Sequence, residues 1–203
     1  MTLPLTGVGS PPQQSSGPPN PTSLTGTGAT VTLPANVNGV GMLIVVAYYP
    51  GGATPVGWTP VVVQLDLAGD NIIVMWEKGA DGSSNVTIPS GLTAVWASFY
   101  DPAFTTVDKT AHLAGAASPA TAPTVTPTAS GRLWCAAGVD GNSTITGPGD
   151  LTNTASLTNP AGVPSQTTMM VGYKSAVNGV ATGAHSFSYT GPPSNAGITA
   201  NFK

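Results

Sequence analysis

Charge is nearly absent from this chain. Asp, Glu, Lys and Arg make up 6% of its 203 residues, against about 25% in soluble domains generally. The polar surface must be built from Thr, Ser, Asn, Gln and backbone, which steers charged partners poorly. The 5 basic residues all stand apart from one another. Phosphate binding needs basic clusters, so nucleic acid is not the expected partner. Low charge does not make the chain disordered. Disorder combines low hydrophobicity with high net charge, whereas here the net charge is −3 and 40% of residues are hydrophobic. A near-neutral surface favours association, and covering it inside an assembly is one remedy.

Cysteine and histidine are just as scarce. The single Cys135 excludes an intrachain disulfide. Its neighbours Leu133, Trp134, Ala136 and Ala137 mark an inert thiol in a buried strand. His112 and His185, the only histidines, have no Cys or second His at metal-ligand spacing. No G-x-S-x-G elbow, G-x-x-x-x-G-K-[ST] loop or H-E-x-x-H helix occurs. The carboxylates are not spaced as a glycosidase pair. The expectation is a protein that is not an enzyme and uses no cofactor and no metal. Three stretches carry the oxygen ligands Ca²⁺ takes: "DLAGDN" (66–71), "ADGSSN" (80–85) and "VDGNST" (139–144). None has the twelve-residue calcium-loop pattern, and Asp-Gly and Asp-Asn pairs are turn residues first.

Long apolar runs are also missing. The longest, "MLIVVAYY" at 42–49, is too short to span a bilayer as a helix. The opening "MTLPLTGVGSPPQQ" has neither the basic nor the apolar part of a secretory signal. The expectation is synthesis in a host cytoplasm without a signal peptide and without a membrane partner.

Proline and β-formers fill the space. Residues 1–28 hold Pro11, Pro12, Pro18, Pro19 and Pro21, no charge and few large apolar residues. They read as an extended arm, partly polyproline II, unable to build a core. An arm of this kind suits docking to a neighbouring subunit, and its deletion should leave the rest folded. From Ala29 onward Val, Ile, Thr, Tyr, Phe and Trp dominate the apolar runs. Turn signals such as Asn38-Gly39, Pro50-Gly51-Gly52, Asp140-Gly141 and Asn178-Gly179 separate them. "TVTLPA" and "HSFSYT" alternate as half-buried strands do. "MLIVVAYY", "IIVMW" and "LTAVWASFY" are apolar on both faces and belong at the centre of sheets. "VDKTAHLAGAA" is the best helical candidate, at one or two turns.

The sequence resembles itself. "TVTLPANVNGVGMLIVVAY" (30–48) matches "TVTPTASGRLWCAAG" (124–138). "DNIIVMWEKGADGSSNVTI" (70–88) matches "QTTMMVGYKSAVNGVATGAHSFSY" (166–189), with Trp76 and Lys78 set against Tyr173 and Lys174. The reading is an all-β domain over 29–203 made of two related halves, about 29–117 and 118–203. The halves either pair into one sandwich or form two tandem sandwiches of about 85 residues, small for independent domains.

One tryptophan stands in an unusual setting. "PGGATPVGWTP" (50–60) places Trp58 in a Pro/Gly turn between two apolar strands. Gly57 permits a backbone that a Cβ forbids, and burial of Trp58 would anchor the turn. The competing reading makes Trp58, with Tyr48 and Tyr49, an exposed aromatic platform for a sugar ring.

The order of these motifs resembles repeated β domains in tail and other surface proteins of bacteriophages, especially those of actinobacteria. The shared pattern is an apolar strand, "P-x-GWT", an aromatic-x-K-x-A-x-G strand and turn, and an aromatic strand end. "TAPTVTPTASGRL" (121–133) matches the usual restart of a second half. The second half departs from the pattern, with Gly149-Asp150 where Gly-Trp is expected. The resemblance implies an antiparallel jelly-roll-like sandwich in a virion, without enzymatic activity. The expected role is a minor tail protein, partnered by other virion proteins and copies of itself. The alternatives are a capsid decoration protein and a module that binds host cell-wall glycan.

Overall fold

The computed structural model describes residues 19–89, 92–153, 157–158, 167–191 and 194–203. Pro11, Pro12 and Pro18 of the expected arm lie outside the described residues. The protein is all-β. Its first half contains β1 (Thr22–Gly28), β2 (Thr30–Thr32), β3 (Met42–Tyr49), β4 (Thr59–Leu65), β5 (Ile72–Gly79), β6 (Asn85–Thr87) and β7 (Ala94–Asp101). The second contains β8 (Val107–Gly115), β9 (Ala120–Ala122), β10 (Gly131–Asp140), β11 (Thr144–Thr146), β12 (Thr152–Asn153), β13 (Leu157–Thr158), β14 (Thr167–Ala176), β15 (His185–Thr190) and β16 (Asn195–Phe202). Among the described residues, no helix is long and apolar enough to cross a membrane.

The halves repeat one topology. The first large sheet runs β1-β7-β3-β5-β4 and the second runs β8-β16-β10-β14-β12, both antiparallel. A small sheet accompanies each, β2-β6 in the first half and β9-β15-β11 in the second. Strands that alternate in this way between a large and a small sheet give each half a jelly-roll order. Among the described residues, no strand pairing crosses from one half to the other.

Strand periodicity builds the layers. In β3 every residue is buried, because alternate side chains enter two different cores. Met42, Ile44, Val46 and Tyr48 point inward to Trp134, Ala136, Val171 and Ile198 of the second half. Leu43, Val45, Ala47 and Tyr49 point outward to Val31, Leu33, Val86 and Ile88 beneath the small sheet. In β10, Trp134 and Ala136 join the central core, while Leu133, Cys135, Ala137 and Val139 face Ala120, Ala122, Ile145 and Phe187. The result is four stacked layers, small–large–large–small. The all-β sandwich built from two related halves is thus present. Each half closes its own outer core, and the halves join face to face through their large sheets.

Four sequence readings need correction. Residues 22–28 are not a free arm: they form β1, paired along its length with β7. This strand is mostly exposed and polar, so its sequence carries no apolar signal. The helical candidate 107–117 is the edge strand β8, paired with β16, since a long apolar neighbour supplies what local propensity does not. The repeat therefore starts near residues 22 and 107 rather than at 29 and 118. Register also revises the lysine match. Lys78 lies opposite Leu43 and Lys174 opposite Leu133, so the lysines are equivalent. Trp76 and Tyr173 are not, and they enter different cores.

Candidate functional site

Trp58 is a structural anchor. The segment 50–58 leaves β3 at one end of the large sheet and crosses its outer face to start β4 at the other. It closes with a turn in which the Trp58 N–H donates to Pro55 O at 3.1 Å and Gly57 takes φ +80°. That φ suits the third position of a type II turn and favours glycine. Val56 at the tip is fully exposed, while Trp58 is 9% exposed and packed in the outer core. Tyr48 and Tyr49 are 0% and 1% exposed. Tyr49 stacks near Trp76 at 6.0 Å between ring centroids and donates to Ala53 O at 3.2 Å. The three aromatics named as a sugar platform are therefore all buried, on two different faces, and form no exposed surface.

In the second half Gly149-Asp150 takes the place of Gly57-Trp58. Asp150 accepts from Lys174 Nζ at 2.8 Å and lies 3.4 Å from His185 Nδ1. The Lys174 hydrogen bond holds the Asp150 carboxyl below its ordinary range. Burial, aided by Lys174, pushes His185 below its own. The aromatic anchor of one half is thus a polar one in the other. Cys135 is buried, and desolvation raises its thiol to about 12.

Two polar constellations span the junction between halves, one at each end of the large sheets. At one end Arg132 starts β10 and Asp101 ends β7. Arg132 Nε lies 2.8 Å from Asp101 Oδ2, with both side chains buried. Desolvation raises the Asp101 carboxyl despite the opposing Ala103 N–H and Arg132 charge. The guanidinium sits between the rings of Phe104 and Tyr173, 5.5 and 5.4 Å from their centroids. Its Nη2 donates to Pro19 O at 2.7 Å. Pro19 and Pro21 are the described members of the expected arm, and this contact fixes the chain just before β1.

At the other end Tyr48 reaches across the junction. Its hydroxyl lies 2.9 Å from Asp66 Oδ2 and 2.7 Å from Asp140 Oδ1. Asp66 follows β4 and Asp140 ends β10, so the two carboxylates come from different halves. Asn71 Nδ2 also donates to Asp140 Oδ1, at 2.9 Å. Ligand atoms of Asp66, Asp70 and Asp140 all lie within 4.8 Å of one another. Ser194 closes the side, accepting from the Ala68 N–H at 2.9 Å. A groove of about 210 Å³ lined by Leu67, Ala68, Ala116 and Ser194 adjoins it. Burial pushes the Asp140 carboxyl up to about 6 and raises the Tyr48 hydroxyl strongly.

The sequence reading set "DLAGDN" and "VDGNST" apart as separate turns and missed that they meet. A usable signal was Tyr48 itself. A tyrosine in a strand apolar on both faces needs a buried partner for its hydroxyl. Comparison with protein-family models, curated proteins and solved structures finds no match to this chain.

Proposed function

We propose that this chain is a non-enzymatic structural component of a phage virion, a minor tail protein that docks through its N-terminal segment and projects the doubled sandwich. The observation that carries the reading is the Arg132 anchor. A buried guanidinium shared by both halves holds Pro19 at the point where the Pro-rich segment joins the body. A tether fixed there transmits load to both halves at once. The sparse charge of the body and the exposed Leu65, Leu67 and Leu113 suit contacts made by apolar burial with neighbouring virion proteins or further copies of the chain.

The test is deletion of residues 1–18, which spares β1. The truncated protein should keep its thermal melt and fail to enter particles. Normal incorporation would overturn the docking role. Labelled-antibody microscopy on particles then distinguishes tail from capsid exterior, and a capsid signal would replace the tail assignment with decoration of the shell. With Trp58, Tyr48 and Tyr49 buried, nothing favours the glycan-binding alternative.

A further inference from the structure

The junction around Tyr48 has a charge problem that its own hydrogen bonds do not solve. Asp66, Asp70 and Asp140 bring three carboxylates together. Among the described residues no lysine, arginine or histidine ion-pairs with any of them. The Tyr48 hydroxyl has one proton to offer and lies between two carboxylate oxygens. Ionised carboxylates only accept, so with both ionised one of those short contacts has no proton in it, and either a retained carboxyl proton or a bound cation must offset the repulsion.

A second observation points to what that charge is. Asn71 is 1% exposed, and its amide is held against the cluster by the Nδ2 bond to Asp140. Its Oδ1 is buried with no hydrogen-bond partner. A buried carbonyl oxygen without a donor is destabilising, because its water is lost and not replaced. The Nδ2 that faces Asp140 and the unpartnered Oδ1 belong to one amide, whose oxygen is of the kind that ligates a hard cation. Rotating the amide about its last bond exchanges Nδ2 for Oδ1 at the same place.

We propose that Asp66, Asp70, Asp140 and the carbonyl oxygen of Asn71 form a calcium site that fastens the two halves of the protein together. The donors are all oxygen, which selects a hard cation over zinc or copper. Ca²⁺ holds oxygens at 2.3–2.6 Å, so ligands on opposite sides stand up to roughly 5 Å apart. Mg²⁺ holds them at 2.0–2.1 Å, up to roughly 4 Å apart, and keeps most of its waters. The carboxylate oxygens, all within 4.8 Å of one another, can close around either ion, and it is the all-protein oxygen set that favours Ca²⁺ over the water-retaining Mg²⁺. Three ligands come from the β4–β5 connection and one from the end of β10, so the ion bridges two halves that no backbone ladder joins among the described residues. The site does not depend on where in a particle the protein sits.

The experiment uses the full chain stripped with chelator. Terbium serves as a luminescent stand-in for calcium, excited through the aromatic rings. Expected are terbium emission displaced by calcium and a melting temperature that rises by roughly 5–10 °C at a hundredfold excess of calcium over Kd. Magnesium should give a smaller shift. Asp140→Asn and Asp66→Asn should lose both responses. In chelator Asp140→Asn should melt no lower than the parent, because it removes repulsion and keeps the side chain's shape, whereas in calcium the order should reverse. That crossover separates a metal ligand from a residue needed only for folding. A parent protein whose melt ignores calcium, or terbium emission that persists in both variants, would overturn the site.

Discussion

Gly138 and Tyr48 occupy the same register position in the two halves, each seven residues past a glycine at the head of its central strand, Gly131 in β10 and Gly41 just before β3. A Cβ on Gly138 would stand 2.6 Å from the Tyr48 ring. One half gives up a side chain so that the other can place its hydroxyl at the far end of the junction. The hydroxyl lands on Asp140, two residues beyond Gly138, and this sets the pH response. Asp140 has an ordinary value of 3.8, raised to about 6 by burial first, with Asp66 and Asp70 adding repulsion and Tyr48 pulling the other way. The native state therefore holds this proton more tightly than the unfolded chain. The resulting stability is fully present below about pH 4 and is lost as pH rises through about 6. His185 acts in the opposite sense, since its lowered value costs stability as pH falls below its ordinary range. Comparing the parent with Asp140→Asn in chelator cancels the histidine. The parent should lose ground to the variant between pH 4 and 7, read as urea midpoints. Parallel curves across that window would show that Asp140 does not titrate there.

At the scale of elements, what could be read from sequence was whatever buries itself. "MLIVVAYY", "IIVMW" and "LTAVWASFY" are apolar on both faces, and β3, β5 and β7 are central strands covered on both sides. "HSFSYT" alternates and β15 is buried on alternate residues. The edge strands were not legible. β1 is mostly polar and β8 mixes polar and small residues with none fully buried, and each is a strand because a long apolar neighbour offers an unpaired backbone edge. The acidic junction escaped for a related reason. Its residues come from connections in different halves, and only the face-to-face packing joins them. The β1 pairing revises the expected effect of truncation. Gly26 lies against the Trp96 ring, closer than any side chain would allow, so β1 is the lid on that tryptophan. Removing residues 1–18 should leave the urea midpoint unchanged. Removing residues 1–28 should lower it and expose Trp96, visible as red-shifted fluorescence. Equal midpoints for the two truncations would mean that β1 contributes nothing to the fold.

The whole molecule is held by side chains across its middle and by backbone within each half. The contacts reciprocate as a two-fold relation requires: β3 packs on β14 as β10 packs on β5, and β7 on β14 as β16 on β5. Phe99 and Trp134 meet at 4.4 Å between ring centroids near the centre. The inner face of either large sheet is apolar enough that a separated half would expose Met42, Ile44, Val46 and Phe99, or Trp134, Ile198 and Phe202. Patches of that kind are not left open on soluble monomers. Yet each half keeps its complete strand pairing and its outer core, so neither should be unfolded alone. Residues 1–104 and 105–203, produced together as separate chains, should copurify and melt in a single transition. Produced singly, each should self-associate through its large sheet, and mixing should convert both to the one-to-one complex on a sizing column. The conversion follows because the native partner face is the better fit, with the Arg132–Asp101 pair and the Tyr48–Asp140 hydrogen bond made only there. Two fragments that remain monomeric and ignore each other would mean that the central core does not hold the molecule together.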